Sequence, residues 1–235
     1  MAWTLLLDLD GTLVDTVPDL AAALNRLMHR HGLAPFTHAE TAALVGDGVA
    51  VLVRRALAAR GAAPGEAAIH GAIAGFAADY GAHAAVESRL FPGIADLLRD
   101  LEAEGWRLAI CTNKPESAAR SLLDALGLSP LLRAVGGGDS FPVRKPDPAH
   151  LLATLALAED ALVEGGSAGA APTVGAARAI MVGDHANDVA AARGAGVRSV
   201  FVTWGYGPPA MAEGADAVAH DPAELLAVLR RFRDG

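Results

Sequence analysis

The sequence predicts an α/β fold: a parallel sheet with helices on both faces, interrupted after its first strand by an all-helical insert. Three observations lead there. Short apolar runs alternate with helical stretches along most of the chain. Polar clusters, two of them acidic, stand at the ends of four successive units of that pattern. One long segment, from about Pro18 to about Val86, carries helix signals and no convincing strand.

Trp3 to Leu7 reads as a buried strand that stops at Asp8. Leu20 to His31, Val49 to Arg60 and Glu66 to His83 are the helices of the insert, separated by loops at Gly32 to Pro35 and Gly61 to Gly65. Pro92 to Glu104 is a helix closed by Gly105, and Arg107 to Cys111 is the next strand. A helix from Pro115 to Leu126 ends at Gly127, and Ala134 to Gly136 is a weak strand. Asp147 to Leu157 is helical. Glu164 to Ala177 is rich in Gly, Ala and Ser, has little periodicity, and reads as a flexible surface loop. Ala179 to Val182 is a buried strand, followed by a helix over Asp188 to Arg193 that ends at Gly194. Arg198 to Val202 is a further strand and Ala217 to Val218 a weak one. Asp221 and Pro222 open the last helix as N-cap and first turn. The chain thus divides into a core over 1–16 and 88–235 and a small helical domain over 17–87.

Composition narrows the function. No apolar run reaches the roughly 18 residues of a membrane helix. Met1 to Leu7 has no basic leader and runs straight into Asp8 and Asp10, so no signal peptide is expected. A formal charge of -8 disfavours nucleic acid, whose backbone draws on basic surface. The single cysteine, Cys111, excludes an internal disulfide framework and fits a reducing cytoplasm. Of 19 Lys and Arg only Lys114 and Lys145 are lysines, which suggests that a compact ammonium is wanted at those two places. Drift at two surface sites would also produce that count.

Four clusters concentrate the chemistry, and in open parallel sheets ligands sit at the carboxyl ends of strands. Asp8-Leu9-Asp10-Gly11-Thr12 places two carboxylates two residues apart just past a strand; a plain Asp-Gly turn is the other reading. Thr112-Asn113-Lys114-Pro115 offers a hydroxyl, an amide and backbone N–H groups at a helix start, suited to an anion or to ordinary N-capping. Arg144-Lys145-Pro146-Asp147-Pro148 uses prolines to hold Lys145, or is an exposed basic loop. Gly183-Asp184-His185-Ala186-Asn187-Asp188 sets acids four apart, where they also suit the helix dipole.

Taken together, in this order, the clusters resemble the four motifs of the haloacid dehalogenase superfamily. Asp8, Asp10, Gly11 and Thr12 match the first, Thr112 the second, Lys145 the third, and Asp184 with Asp188 the fourth. Softer matches look like its phosphoglycolate phosphatases: Asp15-Thr16-Val17-Pro18-Asp19-Leu20, Val45-Gly46-Asp47-Gly48-Val49, Phe91-Pro92-Gly93, and the Thr112 and Lys145 segments. The resemblance implies a Rossmann-like core with the insert as a cap, and an enzyme that hydrolyses a small phosphorylated metabolite. It implies Asp8 as nucleophile, Asp10 as acid and base, and Thr112 and Lys145 as further catalytic groups. Gly11, Asn113, Lys114 and Gly46 would join them in holding substrate. Mg²⁺ would be bound by Asp8, Asp10 (through its carbonyl), Asp184 and Asp188. The expected substrate is 2-phosphoglycolate. A sugar phosphate, pyrophosphate, a phosphomutase reaction or an inactive regulatory protein are the alternatives. Neither nucleic acid nor membrane is expected as a partner, and the chain is expected to be a monomer or homodimer. His185 stands where relatives commonly have Ser, which leaves local hydrogen bonding beside the metal open.

Overall fold

A computed structural model describes residues 2–160 and 175–235. The structured elements begin with β1 (Thr4–Leu7) and β2 (Val14–Asp15). Four helices follow, α1 (Val17–Arg30), α2 (His38–Ala42), α3 (Val49–Ala59) and α4 (Glu66–His83). The chain then returns through β3 (Arg89–Leu90), α5 (Ile94–Ala103), β4 (Arg107–Cys111), α6 (Glu116–Ala125) and β5 (Leu132–Gly136). It closes with α7 (Pro148–Asp160), β6 (Ala179–Gly183), α8 (Ala186–Ala195), β7 (Arg198–Val202), β8 (Ala217–Ala219) and α9 (Pro222–Asp234).

Six strands form one parallel sheet in the order β5-β4-β1-β6-β7-β8. Alternation along β1 decides which side each residue covers. Leu5 and Leu7 join Leu108, Ile110, Ile180 and Val182 in a cluster with apolar residues of α5, α6 and α9. Leu6 joins Ala109, Met181, Leu151, Leu155 and Ala191 on the opposite face, under α7 and α8. β1 is therefore buried on both sides, which is why its sequence is an unbroken apolar run.

The insert has its own apolar cluster. Ala72, Phe76 and Tyr80, four residues apart, form one stripe of α4 that packs on Leu20, Leu24, Leu27 and Met28 of α1 and Val53, Ala56 and Leu57 of α3. The chain leaves and re-enters the sheet region through β2 and β3, which pair antiparallel, Val14 with Leu90 and Asp15 with Arg89.

The structure departs from the sequence reading in places. It adds α2, which begins with a capping box between Thr37 and Glu40, and the β2–β3 pair. Helix α8 runs through Gly194 to Ala195, and Gly196, at φ 65°, ends it in the left-handed conformation instead. Strand β5 starts earlier, at Leu132. The surface-loop reading of Glu164 to Ala177 falls mostly outside the described residues; at its end, Ala176–Arg178 forms a 3₁₀ turn.

Candidate active site

In register, Leu7 lies between Ile110 of β4 and Val182 of β6. The chain turns to opposite sides of β1 at this point, so its end is the topological switch of the sheet, where a crevice forms. Asp8 continues the strand by one bond, its N–H donating to the Val182 carbonyl at 2.9 Å.

Lys145 meets Asp8 there. Its ammonium lies 3.0 Å from Asp8 Oδ1 and donates to Asp188 Oδ1 and to the Cys111 carbonyl, both at 2.6 Å. A buried ammonium without partners would be strongly disfavoured; here three acceptors match its three protons. Burial pulls the Lys145 pKa down, but Asp188 and Asp8 outweigh it and hold it above the ordinary lysine value.

Asp184 sits just past β6 and accepts from Thr12 Oγ1 at 2.9 Å and from the N–H groups of Tyr206 at 2.8 Å and Gly207 at 3.3 Å. Burial and then the Asp8 charge push its carboxyl up to about 6 despite those bonds. Asp188, in the first turn of α8, accepts from the His185 N–H at 3.0 Å; burial, with Lys145 opposing and Asp8 adding, pushes it up to about 7. Two glycines make room for these acids. A Cβ on Gly11, at φ 85°, would lie 2.4 Å from Asp184 Oδ2, and one on Gly183 would lie 2.1 Å from Asp188 Oδ2.

Asp8, Asp184 and Asp188 each offer an oxygen within 4.8 Å of the others. When ionised they carry three negative charges against the one positive charge of Lys145. Burial first, and then the neighbouring Asp8 charge, raise the two carboxyls. An all-oxygen donor set with two uncompensated charges fits a hard divalent cation.

Asp10 is paired elsewhere. The turn over Leu9 to Val14 carries it to Lys114, whose ammonium donates at 2.9 Å and 3.2 Å to the two carboxylate oxygens and at 2.6 Å to the Tyr80 hydroxyl. Burial lowers the Lys114 pKa, but Asp10 and Tyr80 outweigh it and hold it above the ordinary range. Burial likewise pushes the Tyr80 phenol up to about 12. Both lysines of the chain are thus buried and paired at one site.

Thr112 and Asn113 precede α6 instead of capping it. The first N–H of that helix, from Glu116, donates to Asp139 Oδ1 at 2.7 Å. The Thr112 hydroxyl accepts from the Lys114 N–H at 3.3 Å. The Asn113 amide donates to the carbonyls of Gly46 and Lys145, both at 3.0 Å, and its own oxygen has no partner among the described residues.

Gly46, on the loop between α2 and α3, is therefore fastened to the sheet. Asn187 adds donations to the Gly46 carbonyl at 3.4 Å and to Asp47 Oδ1 at 2.7 Å. Gly46 has φ 122°, and a Cβ there would lie 2.6 Å from the His185 ring. His185 itself caps α8, its Nδ1 accepting from the Asn187 N–H at 3.3 Å. That cap bond gives the imidazole a defined hydrogen-bonding place at the start of α8.

Asp8, Asp10, Thr112, Asn113 and Lys114 share a pocket of about 40 Å³ with Leu20, Val45, Gly46, Val49, Leu52 and Tyr80 of the helical insert. Sequence reasoning missed Tyr80, Asn187 and the Tyr206 loop. Tyr206 follows β7 and was findable by the strand-end rule. Tyr80 has no local signal, because only packing brings α4 to Lys114.

A family model for haloacid dehalogenase-like hydrolases matches residues 4–196. The phosphoglycolate phosphatase of Cereibacter sphaeroides (strain ATCC 17029) is 44% identical over 202 residues, 85% of this chain and 84% of that protein. The phosphoglycolate phosphatase of Agrobacterium fabrum is 43% identical over 223 residues, 94% of this chain and 90% of that one. Among solved structures, a predicted phosphoglycolate phosphatase from Haemophilus somnus 129pt superposes with a TM-score of 0.83 at 29% identity, covering 97% of each chain. CbbY from Rhodobacter sphaeroides, in complex with phosphate, superposes at 0.74 with 27% identity over 98% of this chain and 100% of that one. The matched span runs from β1 through α8 and contains every residue of the acid cluster, and the chain belongs to the haloacid dehalogenase-like hydrolases.

Proposed function

We propose that the chain is a Mg²⁺-dependent phosphatase that hydrolyses 2-phosphoglycolate to glycolate and phosphate through an aspartyl-phosphate on Asp8. The observation that carries this reading is the placement of Asp8 at the switch point, with Lys145 3.0 Å away and Asp184 and Asp188 within 4.8 Å. The names of the relatives supply the substrate.

Phosphate monoesters hydrolyse so slowly unaided that accelerations reach about 10²¹. The first obstacle is repulsion between an anionic carboxylate and an anionic phosphate. Lys145 opposes it with a fixed charge beside Asp8. Asp8, Asp184, Asp188 and the Asp10 carbonyl would hold Mg²⁺, which supplies Lewis-acid charge neutralisation at the phosphate. Asp8 then forms its bond to phosphorus as the bond from phosphorus to the alkyl oxygen breaks. Asp10 gives a proton to that oxygen, releasing the alcohol. In the second half Asp10 takes a proton from water as the water oxygen attacks phosphorus. Phosphate leaves and Asp8 is restored. Thr112 and nearby backbone N–H groups would hold the non-bridging oxygens. The helical insert, bonded at Gly46 and Asp47, acts as a cap that excludes water.

Phosphate release from a panel of phosphorylated metabolites, in Mg²⁺ and in EDTA, tests this. The expected result is turnover of 2-phosphoglycolate above sugar phosphates and pyrophosphate, abolished by EDTA. Equal rates across the panel would remove the substrate assignment alone, and turnover surviving EDTA would remove the metal.

A further inference from the structure

We propose that the Tyr80 hydroxyl and the Lys114 ammonium form a subsite for a carboxylate on the substrate's alcohol part, which makes Tyr80 the specificity-determining residue contributed by the helical insert. This rests on the phosphatase reading and names what recognises the non-phosphate end.

The proton count on Tyr80 is the first argument. Its hydroxyl accepts from Lys114 at 2.6 Å, so its own proton must point elsewhere. No described residue accepts that proton. A buried phenol with an unclaimed proton, on a pocket wall, is a donor open to a ligand. Its position is rigid: the ring is 2% exposed and stacks on Phe76 at 5.9 Å with planes 9° apart. The Lys114 ammonium also lies 4.4 Å from the ring centroid.

Charge is the second argument. Among the described residues Lys114 is the cationic side chain that lines this pocket. The nearby Arg54 and Arg55 are engaged by Glu66 and Asp47. On the insert side the Leu20, Val45, Val49 and Leu52 side chains suit a methylene. Lys114, with the Tyr80 hydroxyl beside it, offers a charged seat in that lining to an anionic group beyond the ester oxygen.

Steady-state kinetics with 2-phosphoglycolate and ethyl phosphate, which replaces the carboxylate by a methyl, test the subsite in wild type and Tyr80→Phe. The ratio of the two kcat/KM values is the readout, because any loss of folded protein cancels in it. The wild type should prefer 2-phosphoglycolate, and Tyr80→Phe should lower that preference about tenfold or more, the worth of a hydrogen bond to a charged group. Competitive inhibition by glycolate should weaken by a similar factor. A preference and a glycolate inhibition constant both unmoved in Tyr80→Phe would overturn the subsite and leave the phosphoglycolate reading standing. No preference in the wild type would overturn both.

Discussion

Asp8 and Asp10 are two residues apart and answer to different lysines: Asp8 to Lys145, Asp10 to Lys114. This separation is what two neighbouring carboxylates need if one attacks phosphorus and the other moves protons. Asp8→Asn keeps the shape of the side chain and removes its nucleophilic charge. We expect turnover to fall by at least about 10³-fold, with the circular dichroism spectrum unchanged. Near-normal turnover would refute the nucleophile assignment. Asp8, Asp184 and Asp188 were legible in the sequence because each closely follows an apolar run that ends in register with its neighbours. Lys145 was legible through its scarcity, one of two lysines among 19 basic residues. The tie of the Asn113 amide to the Gly46 and Lys145 carbonyls was not legible in the sequence. That tie is long-range geometry, since Gly46 is 67 residues away.

Between residue and fold stand the elements that carry the insert. Asp19, in α1, accepts from the Glu87 N–H at 3.0 Å, the Ser88 N–H at 2.9 Å and the Ser88 hydroxyl at 2.7 Å. Tyr206, after β7, accepts from the Thr16 N–H at 2.7 Å and donates to Asp15 at 2.8 Å. Asp19 is buried, so removing its carboxylate strands donors that water cannot reach. Asp19→Ala should lower stability by about 3 kcal/mol in urea unfolding. A loss below about 0.5 kcal/mol would show that these bonds form equally well with solvent. None of this could be read locally. β2 and β3 have two residues each, and their pairing spans the whole insert, so no periodicity marks them. The high alanine content hid boundaries in the same way: Gly194 looked like a stop, but α8 passes through it because Gly196 supplies the left-handed turn. The inner strands β1, β4, β6 and β7 were readable because burial on both faces makes a strand apolar throughout, whereas the partly buried edge strands β5 and β8 left only weak runs.

For the whole molecule, the acid cluster links stability to pH and metal. The folded pKa values of Asp184, about 6, and Asp188, about 7, are raised above those of an unfolded chain. The folded state therefore holds protons that the unfolded state has released. Stability from these groups is greatest below about pH 4 and is lost as pH rises through 6 and 7. His150 acts oppositely: burial lowers its pKa below 6.5, so it costs stability at low pH, and that cost fades as pH rises to 6.5. A cation competes with protons only at the acids, which separates the two. The rise in Tm caused by Mg²⁺ should be small at pH 5 and should level off above about pH 7.5. The same rise at both ends would exclude the acid cluster as the binding site. Among the described residues no helix is long and apolar enough to cross a membrane. The β2–β3 pair has a mechanical consequence as well. Both passages between sheet and insert run side by side, bonded to each other at Val14–Leu90 and Asp15–Arg89. A pull that separates the two bodies loads both strands along their length and shears neither against the other. Two links joined in this way bend together about one axis and resist twisting, as a flexure does.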